Sequence, residues 1–145
     1  EIWPRLAAAG ITVDSSLGYS HTDGFRCGTC HPFQIVNLHT GEPLELIEVP
    51  LIAMDVAYHF HLGMPCGQAL ARIENLMESC RREGGIFSFL WHTNSFDPEW
   101  AVWREVFRRT LDSALSRGAR SETIHSWAAR HGERLNRVRD RMDAP

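Results

Sequence analysis

Cys27-Gly28-Thr29-Cys30-His31 places two thiols and an imidazole at the Cys-x-x-Cys-His spacing of c-type haem attachment. In that chemistry both sulfurs bond the cofactor and the histidine ligates iron, with Met54 or Met64 available as a second ligand. Arg26, just before, sits between an apolar Phe25 and a Gly-rich turn. A guanidinium so placed either bonds loop carbonyls or orients a buried catalytic carboxylate. Farther on, Asp55 closes the apolar run Leu51-Ile52-Ala53-Met54, and His92 follows the nearly continuous apolar run 86–91. In parallel α/β folds, residues at the C-terminal ends of strands form the active face. A histidine there suits general acid or base work, and a buried carboxylate beside it needs such a partner. His59 and His61 read as a metal pair or as surface loop. Cys66 and Cys80 stand too far apart to complete a structural zinc site and read as buried thiols.

These residues need elements to hold them. Residues 2–9 read as the end of a helix stopped by Gly10, and 11–13 as a short β-prone run. Residues 17–24 read as loop, 25–27 as a very short strand, and 37–43 as another loop. Residues 44–49 and 51–56 are strand candidates parted by Pro50. Leu70, Ile73, Leu76, Met77 and Cys80 recur at helical spacing before Gly84-Gly85. The run 86–91 has the character of a parallel strand buried on both faces. Asp97-Pro98 predicts a helix start, with Trp100, Trp103, Phe107, Leu111 and Leu115 as its buried stripe and Gly118 as its end. A last helix from near Ser121 carries Ile124, Trp127, Leu135 and Val138, and Arg137 to Arg141 form a solvated face. This order predicts an α/β layout with parallel strands in one domain over 1–145. A closed (β/α) barrel needs about 250 residues, so the layout is a small open sheet or the C-terminal part of a barrel.

The 145 residues suffice for a substantial core, at 43 % hydrophobic and 23 % charged. A net charge of −3 provides no field toward nucleic acid or anionic lipid. No apolar run approaches the roughly 18 residues of a membrane helix, and no secretory signal is visible, which slightly favours the cytoplasm. The first residue is Glu1, and a helix already under way suggests an earlier start to the natural chain.

Ala9-Gly10-Ile11-x-x-Asp14-Ser15-Ser16-Leu17-Gly18-Tyr19, Gly24-Phe25-Arg26-x-Gly28-Thr29-x-His31-Pro32-Phe33 and Leu90-Trp91-His92 together resemble polysaccharide deacetylases of the NodB-homology type. The likeness spans most of residues 1 to about 130. It implies a distorted (β/α)7 barrel and metal-dependent removal of N- or O-acetyl groups from an acetylated polysaccharide. A divalent metal, commonly zinc, holds the acetyl carbonyl and a water in that family; an aspartate is base and a histidine protonates the leaving group. By this resemblance Arg26 matches the arginine that orients the catalytic aspartate. His92 matches the general-acid histidine, and Asp55 the aspartate that tunes it. Leu90 and Trp91 fall at the substrate pocket. His59 stands where the family pattern has tryptophan. The family's Asp-Asp and His-x-x-x-His motifs have no counterpart here, so base and metal ligands are expected upstream of residue 1. The chain then reads as a fragment of a deacetylase or a remnant without activity, the fragment being favoured, and in either case as inactive alone. The rival expectations are a haem electron-transfer protein and a non-catalytic carbohydrate-binding module using Trp91, Trp100 or Trp103.

Overall fold

In a computed structural model the chain is described from residue 2 to residue 131. Helix α1 (Trp3–Ala8) has a proline in its first turn, and Gly10 follows it with φ of 80°. Strand β1 (Val13–Asp14) pairs in parallel with β3 (Pro43–Glu48), setting Val13 opposite Ile47 and Asp14 opposite Glu48. Strand β2 (Phe33–Val36) lies antiparallel on β3, joined to it by a turn in which Asn37 N–H donates to Glu42 O at 2.8 Å.

Residues 25–27, expected as a strand, form a turn instead. Gly24 and Gly28 flank them with φ of 116° and 70°, and Gly28 N–H donates to Phe25 O at 2.9 Å. Left-handed backbone on both sides breaks an extended run. The strand lies later, at β2, where Ile35 is buried and Val36 exposed.

Strand β4 (Leu51–Met54) follows β3 after Val49-Pro50 and pairs in parallel with β5 (Ser88–Leu90). Between them a π-helical turn (Ala57–His61) leads into α2 (Cys66–Glu83). Helix α2 buries Ala69, Leu70, Ile73, Met77 and Cys80 on one stripe and ends at Gly84, whose φ of 66° gives the left-handed stop that glycine permits. The run 86–91 is strand only over β5 and is half-buried rather than enclosed, because among the described residues β5 pairs with β4 alone. Asp97-Pro98 opens a one-turn 3-10 segment, and α3 (Ala101–Ser116) starts after it. The stripe of α3 is rotated from the expected one: Trp103, Val106 and Thr110 are buried, whereas Leu115 is exposed. Helical structure resumes over 124–131; Leu135, Val138 and Arg137 to Arg141 lie outside the described residues.

The core is made where α2 and α3 pack over β4 and β5, from Ala53, Tyr58, Ala69, Ile73, Met77, Trp103 and Val106. The architecture is mixed α/β with two parallel strand pairs. Among the described residues no helix is long and apolar enough to cross a membrane.

The end of α2 is stitched to the loop of Cys30. Gly85 N–H donates to Cys80 O and Ile86 N–H to Cys30 O, both at 2.9 Å. A Cβ at Gly85 would stand 2.3 Å from Cys30 Sγ and 3.0 Å from Cys30 O. Gly85→Ala is therefore expected to lower stability by about 2 kcal/mol, read as a drop in the urea midpoint with unchanged slope.

Candidate functional site

Strands β4 and β5 run the same way, with Met54 opposite Leu90, so their C-terminal ends meet. The chain turns at once after each, and this brings Asp55 and His92 together. Asp55 is fully buried. Its Oδ2 accepts the His92 backbone N–H at 2.8 Å and the Ser95 hydroxyl; its Oδ1 accepts the Val56 N–H at 2.8 Å and lies 2.6 Å from His92 Nδ1. Burial pushes the Asp55 carboxyl up, but the bonds from Ser95, His92 and Val56 together outweigh it and hold the group below its usual range. An ionised carboxylate only accepts, so Nδ1 carries the hydrogen and Nε2 keeps its lone pair. The His92 side chain is 44 % exposed, which leaves the ring open to a ligand. Such an imidazole takes a proton at Nε2 or, once charged, delivers one.

His59 follows Asp55 by four residues and packs its ring 5.0 Å from Trp100 and 5.1 Å from Trp103. Its Nδ1 is buried with no hydrogen-bond partner among the described residues. Burial, with His92 and His61 assisting against Asp55, holds its pKa below the usual histidine value. His61 meets His21 edge-on at 4.2 Å. Among the described residues no three His, Cys, Asp or Glu side chains form a group that would hold a metal, so the metal-pair reading of His59 and His61 has no third ligand.

Arg26 is exposed and its Nη1 donates to Gly18 O at 2.7 Å; among the described residues no carboxylate pairs with it. Cys30, by contrast, is 3 % exposed and packs with Ile52 and Cys80. A covalent haem needs both sulfurs accessible, and the Cys30 sulfur faces Gly85 inside the fold. Cys80 is buried and Cys66 half-buried, with burial raising both thiols, Cys80 to about 12. Leu90 is 39 % exposed. Trp91 packs inward, 5.7 Å from Phe107 and 6.5 Å from Trp103, and Trp103 is buried.

Sequence reasoning missed three parts of this region. Ser95, brought under Asp55 by a 3-10 turn over Thr93–Phe96, had only its place three residues after His92 as a signal. The buried Asp23 bonds Tyr58 and Arg72, which are 35 and 49 residues away, and no local pattern marks such a contact. Glu48 is a buried carboxyl in β3, detectable only as an acid on the inward side of an otherwise apolar alternation.

Fold and site together define a mixed α/β protein with a carboxylate-held histidine at the ends of two parallel strands. Comparison with protein-family models, with curated proteins and with solved structures finds no significant match to the chain.

Proposed function

We propose that the chain is the C-terminal part of a metal-dependent polysaccharide deacetylase of the NodB-homology type, a (β/α)7-barrel hydrolase acting on N- or O-acetyl groups of a glycan. The observation that supports this most is the His92 ring, oriented by a fully buried Asp55 and exposed on its other side. In the protonated state, His92 Nε2 delivers a proton to the leaving amine or alkoxide, while Asp55 stabilises the imidazolium and fixes its orientation. Leu90, exposed beside it, offers an apolar wall for an acetyl methyl group. A bound divalent metal supplies carbonyl polarisation and an activated water in such enzymes. Among the described residues no group of side chains makes that metal site.

Two measurements test the reading. An acetylated oligosaccharide is expected to perturb the His92 imidazole resonances more strongly than its deacetylated counterpart. Equal or absent perturbation sinks the proposal, and glycan binding undiminished in His92→Ala favours a binding module. The 145 residues alone, with zinc added, are expected to release no acetate from the same oligosaccharide; turnover would overturn the view that the chain is a part.

A further inference from the structure

Away from the Asp55–His92 pair, one buried carboxylate joins three separate stretches of chain. The Asp23 side chain is 1 % exposed and accepts the Tyr58 hydroxyl at 2.9 Å. Arg72, from the second turn of α2, reaches both Asp23 oxygens from Nε at 2.8 Å and Oδ1 from Nη2 at 2.6 Å. Asp23 stands three residues before Arg26. Tyr58 stands three residues after Asp55 and directly before His59.

Tyr58 is fully buried within the π-helical turn, whose Leu62 N–H donates to Ala57 O at 3.0 Å. A π-turn spends one residue more per turn than an α-turn, which re-aims the side chains that follow, and such turns concentrate at functional sites. Here the side chain that follows is His59, set among Phe60, Trp100 and Trp103. We propose that Asp23 and Tyr58 are positioning residues of the candidate site: their bond fixes the π-turn, holds His59 in its aromatic setting beside Asp55 and His92, and ties the Arg26 loop to the same turn. Burial, reinforced by the Asp23 charge, pushes the Tyr58 phenol far up, so the hydroxyl stays a donor and the bond is no titrating switch. The inference rests on Asp55 and His92 being the working pair, but its test needs no turnover.

The test is imidazole NMR titration of the full 145-residue chain. The ionisable groups acting on His59 are Asp55, His92 and His61. Tyr58→Phe keeps the ring and removes the hydroxyl; the His59 midpoint is expected to rise toward the ordinary value, by more than about 0.2 of a pH unit, as burial loosens. Asp23→Asn keeps an acceptor for Tyr58 and is expected to leave His59 within about 0.2 of the parent, whereas Asp23→Ala behaves like Tyr58→Phe. Ile35→Ala, a core truncation in β2, controls for general loss of stability and is expected to leave His59 unmoved. Should Tyr58→Phe not fold, the two Asp23 variants decide in its place. An unmoved His59 titration, or an equal shift in the Ile35 control, overturns the proposal and leaves Asp23 and Tyr58 as a brace of the fold.

Discussion

Replacing Asp55 with alanine is expected to lower stability by about 4 kcal/mol and to release the His92 ring from its single tautomer. The buried carboxylate receives four donors: the backbone N–H of Val56, the backbone N–H and Nδ1 of His92, and the Ser95 hydroxyl. Removing it leaves buried N–H and O–H groups unpaired at the junction of β4 and β5. Asp55→Asn keeps the shape and one acceptor oxygen, so it costs less stability than alanine, but its amide sets a donor against groups that also donate and weakens the hold on the Nδ1–H tautomer. Because its pKa is depressed in the folded protein, Asp55 contributes stability fully above the ordinary carboxylate range, and that contribution is lost as pH falls through the folded value. Asp55→Ala is thus expected to have a flatter acid limb than the parent in urea melts between about pH 7 and pH 3. On the proposed deacetylase reading, the same change in the intact enzyme is expected to lower turnover about 10²–10⁴-fold. A His92 ring that keeps its Nδ1–H tautomer without Asp55 would refute the assignment.

Asp55 and His92 were legible because each is a polar residue placed immediately after an apolar strand, and parallel pairing turns that shared grammar into proximity. Helix α2 was legible from its spacing and its glycine stop. Local pattern fails where partners are distant in sequence and lie in loops. Asp23 sits in a polar stretch that looks solvent-facing, yet Arg72 and Tyr58, from elements formed much later in the chain, close over it. Cys27-x-x-Cys30-His31 is the opposite case: its spacing is a motif, yet in the fold Gly24 and Gly28 flank a turn and Cys30 is buried against Ile52 and Cys80. Strand β2 is equally quiet in the sequence: its Ile35-in, Val36-out alternation spans only four residues just after Pro32.

Glu48→Gln is expected to raise stability by about 3 kcal/mol at pH 8 and to change it little near pH 4. The β1–β3 register sets the fully buried Glu48 beside Asp14, a second, half-buried carboxyl. Glu48 Oε1 accepts the Leu17 N–H at 2.9 Å, while Oε2 is buried with no hydrogen-bond partner among the described residues. Burial raises the group to about 7, Asp14 adds to the rise, and the Leu17 N–H opposes it. The folded protein therefore keeps a proton that the unfolded chain releases near pH 4.5, so stability falls as pH climbs from there to about 7 and is level beyond. Glutamine keeps the shape and the acceptor for Leu17, and its amide can face Asp14 without ever ionising. Urea melts of both proteins across about pH 4 to 8 should converge at the acid end and part steadily toward neutrality. A Glu48→Gln protein less stable than the parent at pH 8 would mean that the fold favours the ionised carboxylate, and would overturn the assignment of Glu48 as a carboxyl raised by burial.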